Sequence, residues 1–301
     1  MSAPARQAAV EPATATAQRP EPPVRRGRRL RAGRWLLYAF LGSLVVVFVL
    51  PMLWALASSF KPRGDIFGYP PSLVPDPFTL DNYTRMLDAQ PFWSWFAIST
   101  VVAVVSTAVA VFVCSLAGFA FAKYRFRGKN VLFNIMFSSL TVPFAVIVVP
   151  LFVMLVKTGL NNPWFALIVP WLAPAFGIFM MRQYVEQSVP DEILESARVD
   201  GASEFRLFLR IVMPLLRPAL GALAVWSFLS TYNSFFWPLI VVGNDEQYTL
   251  PLGIQSIYAA EARQVDLVLA ASVLAAIPSL LLFTALRKQL LEGLTAGAVK
   301  H

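Results

Sequence analysis

The sequence predicts an all-α integral membrane protein with six transmembrane helices, and three observations lead there. Hydrophobic residues make up 57% of the 301, charged residues only 14%, and the mean hydropathy is +0.62. A soluble chain has nowhere to hide so much apolar surface. Six stretches reach the roughly 20 residues a helix needs to cross a bilayer core. They are 35–58, 92–121, 131–155, 163–181, 219–242 and 267–286, and none contains Asp, Glu, Lys, Arg or His. Finally, Lys and Arg alternate in density from one inter-span segment to the next.

The elements follow in chain order. Residues 1–34 are rich in Ala, Pro, Thr and Arg, which predicts a disordered basic tail. Its run Arg25-Arg26-Gly27-Arg28-Arg29 is basic enough to suggest nucleic acid. A topology signal that also touches anionic lipid explains it more simply. The Arg-rich flank, the apolar run of the first span and its Ala55-Leu56-Ala57 imitate a secretory signal. Its apolar stretch exceeds the ~7–15 residues of a signal core, so it is expected to remain as an uncleaved span. Pro51, Pro143, Pro150, Pro170, Pro174, Pro238 and Pro278 fall inside the spans. Membrane helices tolerate proline better than soluble helices do. The six spans make one domain, 35–288, with a short tail at 289–301.

Orientation follows from the basic residues. Twenty of the 25 Lys and Arg lie in the first tail, the second-to-third connection, the segment after the fourth span and the last tail. Lys61, Arg63, Arg85, Lys157 and Arg263 lie on the other side. Both termini are therefore expected in the cytoplasm. Cys114 is the one cysteine and His301 the one histidine, which leaves no disulfide framework, thiolate metal site or histidine-based catalysis.

The most informative segment is the polar break at 182–217. Ser188-Val189-Pro190-Asp191 fits a capping box, with Asp191 and Glu192 at the positive end of a first short helix. Ile193, Leu194 and Ala197 give that helix an apolar face, and Gly201 suits the left-handed residue that ends it. Ser203 is placed to cap a second helix, in which Phe205, Phe208, Leu209 and Val212 recur at helical spacing. Arg206 and Arg210 share its polar face, and Pro214 and Pro218 are expected to stop it. By shape alone this is either an amphipathic linker on the membrane surface or a docking element for a protein partner. A DNA-reading helix-turn-helix also turns on glycine, but the first helix is acidic and both ends are tied to lipid.

The run Glu195-Ser196-Ala197-Arg198-Val199-Asp200-Gly201, closing on Ile211-Val212-Met213-Pro214, resembles the EAA loop of membrane subunits in binding-protein-dependent ABC importers. Ser196 stands where that pattern has alanine. Ser58-Ser59-Phe60-Lys61-Pro62 with Thr79-Leu80-Asp81-Asn82-Tyr83 is similar to the first external loop of carbohydrate permeases. Tyr232-Asn233-Ser234-Phe235-Phe236-Trp237-Pro238 and Tyr248-Thr249-Leu250-Pro251-Leu252-Gly253 resemble their fifth span and following loop, and 293–300 their ending. The set points to the MalG-like subunit of the carbohydrate-uptake class. The resemblance implies a multi-pass permease of a bacterial or archaeal cytoplasmic membrane. It would pair with a homologous second permease, two copies of an ATP-binding-cassette ATPase, and an extracytoplasmic solute-binding protein. It also implies a cytoplasmic coupling helix between the fourth and fifth spans, within a loop at 188–214. Glu195, Ser196, Ala197, Asp200 and Gly201 would carry the coupling. The chain would bind no cofactor, with ATP and Mg held by the ATPase. Gly253, Gln255 and Tyr258 would reach the binding protein.

Energy is the remaining question. A secondary transporter needs a titratable or ion-binding group in the bilayer, and these spans have no ionisable one. An ion-coupled secondary transporter, with sodium held by carbonyls and hydroxyls, is the alternative reading. Asn233, Ser234 and Trp237 are candidates for a sugar path, along with Ser139, Thr141 and Thr231. Amides, hydroxyls and aromatic rings suit neutral sugars, and helix–helix hydrogen bonding is the competing explanation.

Overall fold

A computed structural model describes residues 27–296, apart from 161 and 261–263. The expectations for residues 1–26 and 297–301 lie outside the described residues. Among the described residues every regular element is helical. Helix α1 (Gly27–Ser58) runs through Pro51. It begins inside the segment expected to be a disordered tail. No proline lies between Pro23 and Pro51, and Arg, Leu and Ala are strong helix formers, so the span propagates backward. The chain divides into two units after Met52, and residues 27–52 stand as a helix by themselves.

The second unit begins with a folded connection. Phe60 stacks on Phe78 with ring centres 5.1 Å apart, and Phe60 also meets Tyr83 at 5.2 Å. Buried Asn82, in α2 (Asp81–Ala89), donates to the carbonyls of Ser59 and Lys61, both at 2.8 Å. These bonds satisfy backbone groups in a stretch with no helix of its own.

Next come α3 (Phe92–Lys123), α4 (Lys129–Ser138), α5 (Phe144–Lys157), α6 (Pro163–Ile168) and α7 (Ala175–Ser188). The polar segment holds α8 (Asp191–Val199), α9 (Glu204–Leu207) and α10 (Met213–Leu215). The chain finishes with α11 (Arg217–Tyr232), α12 (Phe236–Val241), α13 (Leu250–Ala259) and α14 (Val265–Ala296). Four helical stretches are long and apolar enough to cross a membrane, and six if each sharply bent pair counts as one span.

Three expected spans are interrupted. The third bends by 111° between Lys129–Thr141 and Phe144–Lys157. Pro143 lacks an N–H and pushes Val142 out of helical geometry, to φ −82° and ψ 119°. The fourth is α6 and α7 joined through Pro170 and Pro174, and it runs on to Ser188. Arg182 is therefore helical and not the start of a break. Its guanidinium lies 4.0 Å from the centre of the Phe133 ring, and its Nε donates to Glu186 at 2.9 Å. The fifth stops at Tyr232, resumes at Phe236, and is separated from the preceding helical arm by an 84° bend at Leu216.

Helix α3 is the axis of the bundle, packed on α7 and α11, while α11 packs on α14. Small residues let the backbones approach. A Cβ on Gly118 would stand 2.7 Å from the Arg182 backbone nitrogen, and one on Gly177 would stand 2.8 Å from Cys114 Sγ. At one end of α3, Cys114 and Phe119 join Met181, Val185, Leu194 and Leu223 in a single apolar cluster. At the other end, Phe92 and Trp95 pack with Met86, Tyr232, Ile257 and Leu267. The loop helix α2 is fastened to α14 there by Arg85, which pairs with the fully buried carboxylate of Asp266.

Candidate functional site: the polar segment between α7 and α11

Helix α8 opens at Asp191 with Pro190 at its N-cap. Ser188 is the last residue of α7 and caps nothing, so the predicted capping box does not form. The acidic first turn, Asp191 and Glu192, is present as predicted. Helix α8 ends in a complete Schellman turn. The Gly201 N–H donates to the Arg198 carbonyl and the Ala202 N–H to the Ala197 carbonyl, both at 3.0 Å. Gly201 takes φ 79°, the left-handed geometry predicted for it.

The segment is anchored by apolar side chains. Leu194 and Ala197 from α8, then Leu207, Phe208 and Val212, are buried in the cluster with Phe119, Met181 and Val185. The predicted face of the second helix is half right. Phe208 and Val212 are buried, but Phe205 and Leu209 are exposed and Leu207 takes an inward position. The cause is a π turn at Phe208–Val212, which winds wider than an α-helix and rotates the face. Ser203 sits at the N-cap of α9 without a side-chain bond. Pro214 lies inside the helical arm, and Pro218 falls in the first turn of α11, where its missing N–H is harmless.

Polar clamps surround this anchor. Lys123 Nζ donates to Asp191 Oδ1 at 2.6 Å, tying the end of α3 to the start of α8. Across the glycine turn, Arg198 donates through Nε to Glu204 Oε1 at 2.8 Å and through a second nitrogen to Oε2 at 3.3 Å. The Tyr124 hydroxyl donates to the same carboxylate. The Arg198 hydrogen bond, and then that of Tyr124, hold Glu204 below the usual carboxylate range. Lys123 does the same for Asp191. Burial raises the Tyr124 phenol, and Glu204 raises it further. A polar cavity of about 560 Å³ lies between the 123–129 connection and α8, lined by Lys123, Arg125, Lys129, Asp191, Glu195 and Arg198.

Anchor and clamps leave one surface outward. Glu195, Ser196, Asp200 and Gly201 are exposed, and Val199 at the tip is 88% exposed. Ala197 points inward, so of the five predicted coupling residues it is the one that grips the bundle. Ser196 turns its hydroxyl back to the Ile193 carbonyl at 3.0 Å, which absorbs the departure from alanine at that position. Sequence reasoning missed the clamp residues Lys123, Tyr124 and Glu204. The opposite charges of Arg198 and Glu204, six residues apart across a glycine, were the available signal.

The other predicted positions scatter. Trp237 is fully buried and donates its indole N–H to the Ala166 carbonyl at 2.8 Å, so it is a core residue with no free face for stacking. Ser234 is half-buried in the break after α11, and Asn233 is exposed there. Gly253 is buried, because a Cβ would stand 2.2 Å from the Trp95 ring. It serves helix packing and offers no outward surface. Gln255 and Tyr258 are exposed on α13. Among the described residues no group of acidic, cysteine and histidine side chains gathers to hold a metal.

A multi-span helical membrane protein with a structured polar hairpin docked on one end of its bundle is the class so defined. The chain belongs to the family of binding-protein-dependent transport system inner membrane components, whose pattern matches residues 114–292. It is 32% identical over 269 residues to the arabinooligosaccharides transport system permease protein AraQ of Halalkalibacterium halodurans, covering 88% of this chain and 96% of that one. It is 34% identical to the lactose transport system permease protein LacG of Rhizobium radiobacter, over 69% of this chain and 74% of that one. The fold is shared with a bacterial ABC transporter involved in the import of the acidic polysaccharide alginate. That match has a TM-score of 0.76 at 21% identity and covers 87% of this chain and 98% of the other.

Proposed function

We propose that this chain is the transmembrane permease subunit of an ATP-driven, binding-protein-dependent importer of oligosaccharides. In this reading α8 is the coupling helix, and closure of an ATPase pair against it switches the bundle between outward and inward openings. The observation that carries the reading is the split character of α8. One side is fixed in the bundle by Leu194 and Ala197, while Glu195, Val199, Asp200 and Gly201 are exposed on the other. A linker lying on a membrane would turn its apolar face to lipid, whereas α8 turns Leu194 and Ala197 into the bundle.

The partners are a second, homologous permease, two ATPase subunits holding ATP and Mg, and an external solute-binding protein. The relatives named for arabinooligosaccharides and lactose support an oligosaccharide as the solute. In this reading six spans with both termini in the cytoplasm follow if α4–α5 is one broken span and α11 with α12 forms the fifth, the Glu204–Leu215 arm before the 84° bend staying outside the membrane. Family membership weighs against the ion-coupled alternative, since its members are components of binding-protein-dependent systems.

The experiment is reconstitution of the complete complex with Glu195→Ala and, separately, Gly201→Trp. Among the described residues nothing lies within 4 Å of a Cβ on Gly201, so a bulky residue there meets the partner and the left-handed backbone. Membrane insertion should persist, while uptake and ATP hydrolysis stimulated by loaded binding protein should fall about tenfold, a coupling loss near 1.4 kcal/mol. Wild-type uptake in both variants would overturn the coupling role.

A further inference from the structure

We propose that the cleft between α11, α13 and α14 is a subsite for a neutral, polyhydroxylated solute, gripped by the amides of Asn233 and Gln255. The inference rests on the importer reading and gives this chain its own share of solute recognition. The cleft holds about 510 Å³, within the ~300–1,000 Å³ of small-molecule sites. Asn233 enters from the break after α11, Gln255 from α13, and Ser272 and Ser279 from α14. On α14 the lining residues Ser272, Ala275, Ala276 and Ser279 recur at three- and four-residue intervals, so they share one face and leave room above it.

The chemistry of the wall selects the ligand. Among the described residues no Asp, Glu, Lys, Arg or His lines it. A charged ligand would lose its water there without gaining a counter-charge. Two primary amides offer donors and acceptors together, as a sugar hydroxyl requires. Asn233 Nδ2 donates to the Leu229 carbonyl at 3.0 Å, which fixes the amide on the wall. Asn233 and Gln255 are both exposed in the cleft, which leaves the Asn233 carbonyl oxygen and the Gln255 amide open to a ligand or to water. Leu229, Pro251 and Ile254 supply apolar surface for the C–H faces of a sugar ring.

Position argues the same way. Unpaired amides facing acyl chains would be costly, and irregular backbone at membrane depth is tolerated only against protein or a water-filled cavity. The helix break at Asn233, between Tyr232 and Phe236, is irregular backbone of that kind, which argues against acyl chains on this face. That leaves solute and water, or a helix of the second permease, as occupants. The open Asn233 carbonyl oxygen and Gln255 amide favour solute, since an apolar packed helix would leave them unsatisfied. Two residues first separated as solute path (Asn233) and binding-protein contact (Gln255) thus line one site.

The test uses the complete complex in vesicles with Cys114→Ser and single replacements Asn233→Cys, Gln255→Cys or Ser272→Cys. Labelling by a charged methanethiosulfonate is followed with and without arabinotriose, lactose, maltotriose or diacetylchitobiose, against sodium chloride of equal osmolarity. The subsite predicts labelling in the assembled complex, slowed about tenfold by at least one sugar at ten times its Kd. Adding Asn233→Ala to Ser272→Cys should abolish that protection.

Labelling of the isolated chain but not of the complex would show that the second permease covers the cleft, and the proposal would fail. Labelling by a lipid-soluble maleimide alone would place the face in the bilayer and also sink it. Labelling that no sugar slows would overturn the solute assignment. ATP hydrolysis stimulated by loaded binding protein, measured in the same vesicles, tests the importer reading separately. Its absence would defeat that reading whatever the labelling shows.

Discussion

Two glycines show how unequally single residues can be read. Gly201 was legible, because a glycine closing a short amphipathic helix before a capping serine has one common geometry, and the chain adopts it at φ 79°. Gly253 was not. Its requirement comes from Trp95, more than 150 positions away, whose buried ring lies 2.2 Å from where a Cβ would sit. Trp95 cannot retreat, since its indole N–H is held by the Asp245 carbonyl at 2.7 Å. Gly253→Ala should therefore destabilise the packing of α13 on α3 by about 1–3 kcal/mol, the usual cost of overfilling a tight contact. Thermal unfolding of the detergent-solubilised complex measures this, and Gly253→Val should be worse. If Gly253→Ala melts with the wild type, the close approach is not a constraint. Trp237 makes the same point in reverse, since an aromatic next to polar residues looked like a binding face and proved to be core.

For the α8–α9 hairpin, magnitudes decide what holds it. A fully buried leucine contributes roughly 1.5–3 kcal/mol, whereas an exposed ion pair such as Arg198–Glu204 contributes about 0–1 kcal/mol. Leu194→Ala should consequently loosen the hairpin by about 2–5 kcal/mol, and Glu204→Gln by about 1 kcal/mol at most. Hydrogen exchange of the α8 amides ranks the two, and a larger effect from Glu204→Gln would reverse the assignment. The clamps do carry a pH signature. Asp191 and Glu204 have folded-state pKa values below their ordinary ones. Their contribution is thus complete above the ordinary range, about pH 4, and is lost as pH falls through the lowered values. Exchange protection of α8 should be flat from neutrality to about pH 5 and fall below about pH 4. Protection lost already between pH 7 and 5 would mean that another group controls docking. The hairpin itself was legible from helix signals and glycine. Its face was misjudged because a π turn changes the repeat, and nothing in the 208–212 composition announces one.

Across the whole molecule, the apolar runs were readable because lipid imposes length and composition, but the path of the third run was not. A 111° bend allows either a broken span or a re-entrant pair that returns to the side it left. Packing favours a crossing. In α4, Met136 joins the cluster around Cys114 and Phe119. In α5, Val148 and Leu155 join Val102, Leu167 and Trp237. Val102 and Cys114 lie twelve residues apart on α3, about 18 Å along its axis. The chain therefore travels along the bundle between α4 and α5 instead of doubling back. A re-entrant pair would place Arg127 and Asn162 on one face of the membrane. A broken span places them on opposite faces, with Arg127 inside by the positive-inside rule. Single cysteines at the two positions, in a Cys114→Ser background, should react with an impermeant maleimide from opposite sides of oriented vesicles. Reaction of both from one side would remove a crossing, leave an odd number of spans, and put the termini on opposite sides of the membrane.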